Sequence, residues 1–269
     1  MPSRWFVPID GIGPGDARLE HIHAAVSRWF DDSTAEHNAN DKPYSVSPLT
    51  EGHQRRLGVE IGTLTGWAEE RLSTATRKGR TIRLGPTRHP LLGAVLLHQT
   101  SWDRLAQPTG GRRWRLTFAT PTTFRSGDRS SPLPHVPTIL TGLARAWDVW
   151  SGQPKWQRDP KTIAAAWVSD LDLTNDIVTL WRRNPRNNQR TSVLLSGALG
   201  TIEIRCDSPE AARVVEPLLR LAEYSGVGSQ TGKGLGVTRV EILGVTNNSG
   251  EHPALATRPS IELSNESAG

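Results

Sequence analysis

One order of elements, strand–helix–strand–strand–helix–strand, can be read twice along this chain of 269 residues, and the duplication restricts its folds more than any other feature. The apolar run from Trp5 to Ile9 gives way to a glycine-rich turn and then to DARLEHIHAAVSRWF, where Asp16 is placed to cap a helix whose Leu19, Ile22, Val26 and Phe30 share one face. Strands follow at Tyr44 to Val46 and Leu57 to Leu64, a short helix at Thr65 to Ser73, and strands at Thr81 to Leu84 and Leu91 to His98; SWDRLAQPTGG is the connector. The second half opens with RRWRLTFAT, alternating as a half-buried strand does, and a loop rich in Pro, Ser and Arg from Pro121 to Pro137. A helix from about Thr138 to Trp150 comes next, then strands at Thr162 to Leu173, Ile177 to Trp181 and Thr191 to Cys206. Gly197 and Gly200 mark the last as a hairpin or a bent strand. Ser208 and Pro209 open the helix EAARVVEPLLRLAEY, which Pro217 is expected to kink and Gly226 to end, and Val237 to Leu243 closes the half.

Each half is thus β-α-β-β-α-β, and the fold class is α+β with two tandem ferredoxin-like (RRM-like) domains. The expected boundaries are 1–111 and 112–246, followed by a polar tail, 247–269, with too little apolar surface to order itself. Most tryptophans, including Trp29, Trp147 and Trp167, fall on helical or strand periodicities and are assigned to the core.

Composition narrows the function. The single cysteine, Cys206, excludes an internal disulfide and a cysteine-based zinc site. No run approaches the ~20 apolar residues that span a bilayer, and the first residues lack a secretory pattern, so the expected setting is the cytoplasm, without membrane contact. The net charge of +5 favours an anionic partner. With acids nearly as numerous as bases, clustering rather than the total must carry that preference.

Five glycines, Gly226, Gly228, Gly232, Gly234 and Gly236, lie in the stretch GVGSQTGKGLG between the last helix and the last strand. A phosphate-binding P-loop would need glycine where Val227 stands and a hydroxyl where Gly234 stands. A dinucleotide fingerprint follows a strand and opens a helix, the reverse of the order here. The glycine run Gly11, Gly13, Gly15 fails too, with Asp16 in the third glycine's place. Two readings of the loop stay open on spacing alone: a bare backbone whose N–H groups approach phosphates, helped by Lys233, or a flexible connection.

The pattern G-x-G-x5-G-x-G in that position, with HNANDKPYSVSPL after the first helix and FATPTTFRSGDRSSPLPHVPTILTGLARAW opening the second half, resembles the CRISPR precursor-RNA processing endoribonucleases of the RAMP superfamily. The resemblance spans about Trp5 to Leu243. It implies two ferredoxin-like domains that bind CRISPR repeat RNA and cut it once per repeat, without metal or other cofactor, through attack by the neighbouring 2′-OH. The products would be a 2′,3′-cyclic phosphate and a 5′-OH. It places His37 where the family's catalytic histidine stands; Lys42 is the candidate for stabilising the developing charge, and His23 either packs beside the first helix or faces the same cleft. Imidazole suits the proton transfers because its unperturbed pKa is near 6.5. The protein is expected as monomer or homodimer, with a guide-RNA effector complex as a further partner.

Candidate RNA contacts are the loop residues Gly226, Gly228, Ser229, Gln230, Lys233, Gly234 and Gly236. Arg125 and Arg129 in the second-half loop, Arg55 and Arg56 beside His53, and Arg182, Arg183, Arg186 and Arg190 of WRRNPRNNQR complete the set. No two histidines form an H-E-x-x-H pair, SDLDLTND lacks the glycine and glutamate of a calcium loop, and Asp170, Asp172 and Asp176 are read as a turn. Two other classes fit the same elements: a non-catalytic RAMP subunit holding processed guide RNA, and a ferredoxin-like metabolic enzyme with a small anionic substrate.

Overall fold

A computed structural model describes residues 1–33, 39, 41–183 and 189–244. The first half is built from β1 (Ser3–Pro8), α1 (Leu19–Phe30), β2 (Tyr44–Val46), β3 (Thr50–Glu51), β4 (Leu57–Thr63), α2 (Gly66–Ala75), β5 (Thr81–Leu84), β6 (Thr87–Pro90), β7 (Val95–Gln99) and α3 (Trp102–Ala106). The second is built from β8 (Arg113–Thr122), β9 (Phe124–Ser126), β10 (Arg129–Ser131), α4 (Val136–Trp150), α5 (Pro160–Ala164), β11 (Ala166–Arg183), β12 (Arg190–Cys206), α6 (Pro209–Ser225) and β13 (Thr238–Leu243). The main sheets run β2-β4-β1-β7 and β11-β12-β8-β13, every pairing antiparallel. In both, the last strand joins the first at the opposite edge from the second, the ferredoxin-like order expected from the sequence.

Local chemistry accounts for the helices. In α1, Ile22, Val26 and Phe30 are buried on the stripe read from the sequence. Asp16, however, is not its cap. Its carboxylate accepts from Gly13 N–H at 2.6 Å and closes a turn, while Arg18 occupies the cap position. Thr65 and Ser208 do cap α2 and α6, accepting from Ala68 and Ala211 N–H, and α6 continues through Pro217 to Gly226.

Three further expectations change, and one open alternative is resolved. The acidic stretch from Asp170 to Asp176 is strand, not turn: Asp172 stands opposite Thr201 and Asp176 opposite Gly197. Apart from Leu173 its side chains are exposed, so burial alternation, the usual strand signal, is absent there. β12 is continuous to Cys206 and bends at a register shift between Ala198 and Gly200. The loop after Pro121 contains the β9–β10 hairpin. Trp167 is exposed, its indole N–H donating to Asp207, whereas Trp147 is buried and Trp29 packs at a core margin. The tail 247–269 lies outside the described residues.

The halves are joined through polar groups. Arg4 on β1 is 1% exposed, donates to the backbone carbonyl of Glu223 at the end of α6 at 2.8 Å, and pairs with Glu60 at 3.0 Å. Arg239 on β13 reaches Glu60 at 2.6 Å, Ser45 Oγ donates to Tyr224 O at 2.8 Å, and His98 Nε2 stands 3.3 Å from Glu223. Burial alone would raise the Glu223 carboxyl, but His98, Arg4, the Val240 N–H and Arg239 together hold it below its ordinary value. Burial, and then Arg239, push Arg4 below its own.

Candidate functional site

The site forms where the glycine-rich loop lies along α1. Loop geometry comes first. Gly236 has φ +71°, and a Cβ there would overlap the carbonyl oxygen of Val227, whose N–H in turn donates to Gly236 O at 2.8 Å. Only glycine meets both demands. Gly234, at φ +95°, would bring a Cβ to 2.7 Å from Leu19 Cδ2 on α1. The glycine spacing is therefore required by the loop's own closure and by its seat against the first half. The expectation of a bare run of amides is narrowed accordingly: Ser229 N–H donates to Thr123 O, Lys233 and Leu235 N–H to Gln230 O, and Gly236 N–H to Pro121 O.

Three elements meet the loop. From α1, His23 Nδ1 lies 2.8 Å from Gly232 O. Since a carbonyl only accepts, Nδ1 carries the proton, and in the neutral ring Nε2 is the basic nitrogen. From β2 and the residues before it, Lys42 and Tyr44 approach Gly232, where a Cβ would stand 3.7 Å from each side chain. From the β9 side, Thr123 holds Ser229, which brings the hairpin carrying Arg125 and Arg129 against the exposed Gly228.

Asp31, just beyond α1, organises the floor. Its carboxylate receives Lys42 Nζ at 2.9 Å and Tyr44 Oη at 3.4 Å, and the Asp31 and Lys42 side chains are only 6% and 12% exposed. Phe30 stacks on the Tyr44 ring with centroids 4.3 Å apart. Burial first, and then the charge of Asp31, raise the Tyr44 phenol beyond its ordinary value, so Tyr44 is a donor here and not a base. Two further clamps lie close by: Arg71 donates to Phe30 O at 2.6 Å and pairs with Asp32, and Arg145 of α4 holds Asp41 at 2.6 Å. The chain therefore enters and leaves the segment 32–41 through anchored residues. His37 itself lies outside the described residues.

The other candidates are dispersed. Arg55 and Arg56 are exposed beyond Leu57, at the end of β4 remote from Thr63, the residue that pairs with Tyr44. Arg183 faces Arg190 at the tip of the β11–β12 ribbon, with Arg182 beside them, and Arg186 lies outside the described residues. Gly226 caps α6 at φ +70°. Sequence reasoning overlooked Asp31 and the phenol of Tyr44. The only available signal was their position flanking the motif HNANDKPYSVSPL, since their contact depends on the helix ending beside the next strand. No group of three or more potential metal ligands occurs among the described residues.

The architecture is thus a pair of ferredoxin-like units with a glycine-rich loop seated on the first helix. Residues 116–238 match the family of the CRISPR-associated endoribonuclease Cas6. Similar solved structures share its fold. A Cas6 (TTHA0078) product complex has 20% identity and a TM-score of 0.69, covering 89% of this chain and 99% of that one. A product complex of Thermus thermophilus Cas6 (TTHB231) has 23% identity and a TM-score of 0.67, covering 90% and 100%. The H37A mutant of Cas6 (TTHA0078) has 20% identity and a TM-score of 0.67, covering 89% and 98%. None of the curated proteins matches the sequence.

Proposed function

We propose that this protein cuts CRISPR repeat RNA in the precursor transcript by attack of the RNA's own 2′-OH, leaving a 2′,3′-cyclic phosphate upstream and a 5′-OH downstream, without a metal. The observation that carries the reading is the seat of the family-matched glycine-rich loop on α1, with His23, Lys42 and Asp31 around Gly232. Such a reaction needs a base for the 2′-OH, an acid for the leaving 5′-oxygen and positive charge beside the phosphorane.

His37 takes the principal proton transfer. Its segment is rooted at the Asp31–Lys42 pair, and the family resemblance of HNANDKPYSVSPL supports the assignment. His23, with Nδ1 held by Gly232 O, is the second candidate for proton transfer or a phosphate contact. Lys42, held by Asp31 at 2.9 Å, supplies positive charge beside the loop. The RNA track runs from Arg125 and Arg129 over Gly228, Ser229 and Gln230 to Lys233, with the β11–β12 tip and Arg55 and Arg56 as outer phosphate contacts. The units 1–111 and 112–246 hold the RNA between them, and the product passes to a guide-RNA effector complex.

The test uses repeat RNA in excess EDTA. Cleavage is expected to continue, and a single deoxyribose before the scissile phosphate is expected to stop cutting while binding persists. Cleavage of the deoxy substrate, or loss of activity in EDTA with recovery in magnesium, overturns the mechanism. Tight binding without any cleavage of the all-ribose repeat would instead favour a non-catalytic guide-RNA subunit.

A further inference from the structure

Residues 71–102 contain six basic side chains, Arg71, Arg77, Lys78, Arg80, Arg83 and Arg88, and no Asp or Glu. This stretch includes the β5–β6 hairpin, which packs on α1 away from the glycine-rich loop. Between hairpin and helix lie two adjoining recesses of about 340 and 320 Å³ that share Ala25, Arg28 and Arg83. Ala24 and Ala25 keep the floor shallow, Trp29 lines one end, and Arg28, Arg83 and Arg88 are exposed along the rim.

Two details point to an anion. Arg83 and Arg88 stand directly opposite each other in the hairpin register, a pairing of like charges that costs stability in an antiparallel ladder. Neither they nor Arg28 forms an ion pair among the described residues; Arg83 donates only to Gly85 O, at 3.1 Å. Arg71 and Arg145, by contrast, are neutralised by Asp32 and Asp41. Three unneutralised guanidinium groups converging on an open recess, with an indole at its end, match an extended strand of phosphates carrying unpaired bases. A closed pocket for one small anion would instead enclose its ligand.

We propose that the α1–β5–β6 groove binds a single-stranded stretch of RNA outside the segment that is cut, with phosphates on Arg28, Arg83 and Arg88 and a base against Trp29. The proposal rests on the RNA-cutting reading above. It adds a second contact surface on the far side of the helix that carries His23.

The experiment compares a minimal repeat RNA with the same repeat extended by about ten unpaired nucleotides, on the 5′ side or on the 3′ side, bound to the full chain at several salt concentrations. The wild type is expected to bind one of the extended RNAs about tenfold more tightly than the minimal one. Its salt slope for that RNA should be steeper by roughly 2, the sum of three single-strand phosphate contacts. The double variant Arg83→Ala/Arg88→Ala, at exposed positions, is expected to lose that gain, and Arg83→Lys/Arg88→Lys to restore most of it. Equal binding of minimal and extended RNA by the wild type overturns the proposal, as does an undiminished gain in the alanine variant with unchanged melting temperature. Binding of minimal and extended RNA that is weakened equally by millimolar inorganic phosphate in the wild type, and not in the alanine variant, assigns the groove to a small anion and also overturns it. Failure of the parent reading is separate: it appears as absence of cleavage of the minimal repeat, whatever the effect of length.

Discussion

The two ferredoxin-like halves fill the same topological slot, between the second helix and the last strand, in opposite ways. After α2 the chain builds the arginine-bearing β5–β6 hairpin; after α6 it builds the glycine-rich loop. The hairpin projects charge and tolerates its surroundings: Gly79, at φ +89°, has open space where a Cβ would go. The loop is locked by contacts with Val227, Thr123 and Leu19. Both flank α1, the loop against His23 and the hairpin against His21, whose ring a Cβ at Gly85 would meet at 2.9 Å. A repeated fold thus supplies two loops of equal standing, and packing between the halves decides which becomes rigid.

The contrast breaks most directly at the glycines. Gly236→Ala combines an unfavourable φ with overlap against a backbone carbonyl and is expected to cost on the order of 4 kcal/mol. Gly79→Ala, strained but unobstructed, should cost about 1 kcal/mol. Chemical denaturation of both variants checks this; equal costs would remove the distinction between a locked and an open slot.

Next in size is the effect at the site beside the locked loop. His37→Ala is expected to lower the single-turnover cleavage rate by ~10²-fold, about 2.7 kcal/mol of barrier, with RNA affinity nearly intact. His23→Ala should act more weakly, by roughly tenfold, because that ring also braces Gly232. If His23→Ala proves the more damaging change, their roles must be exchanged.

The helix ends feeding the slots differ too. α2 closes on Thr76, whose hydroxyl returns to Leu72 O at 2.8 Å, while the last turn of α6, before its Gly226 cap, carries Glu223 into the network between the halves. Glu223→Gln is expected to lower stability by about 2 kcal/mol at pH 7, read as a fall in Tm. Because the folded carboxyl sits below its ordinary value, its stabilisation is present above the ordinary carboxylate range and is lost as pH falls through the folded value. The wild type should therefore weaken in acid more steeply than the glutamine variant. Parallel pH profiles would deny Glu223 this role.

The smallest effect is expected from Lys233→Ala, which should reduce the salt slope of repeat RNA binding by roughly 0.7 to 0.9, one phosphate contact. An unchanged slope in a binding titration would confine the loop to its structural duty.

The sequence was most legible where chemistry is local. The α1 stripe, the Ser208–Pro209 start of α6 and the glycine pattern each announce themselves within a few residues. The β9–β10 hairpin and the Asp170 to Asp176 strand did not, because exposed strands lack burial alternation and are fixed by partners distant in sequence. The Asp31–Lys42 pair was hidden for a related reason. Its members are ordinary surface residue types, and only the geometry of α1 meeting the β2 edge buries them.

Arg4 gives this architecture a timetable. A guanidinium near the start of the chain finds its carbonyl acceptor 219 positions later. At roughly 5–20 residues per second of synthesis, about 10–45 seconds separate the emergence of the two partners. Through that interval β1 cannot bury its arginine in the finished way, so the first half waits in an incomplete form with the sheet face around Arg4 uncovered. A ribosome that stalls before α6 would leave that surface exposed, and a nascent chain of this kind is where chaperone capture would be strongest.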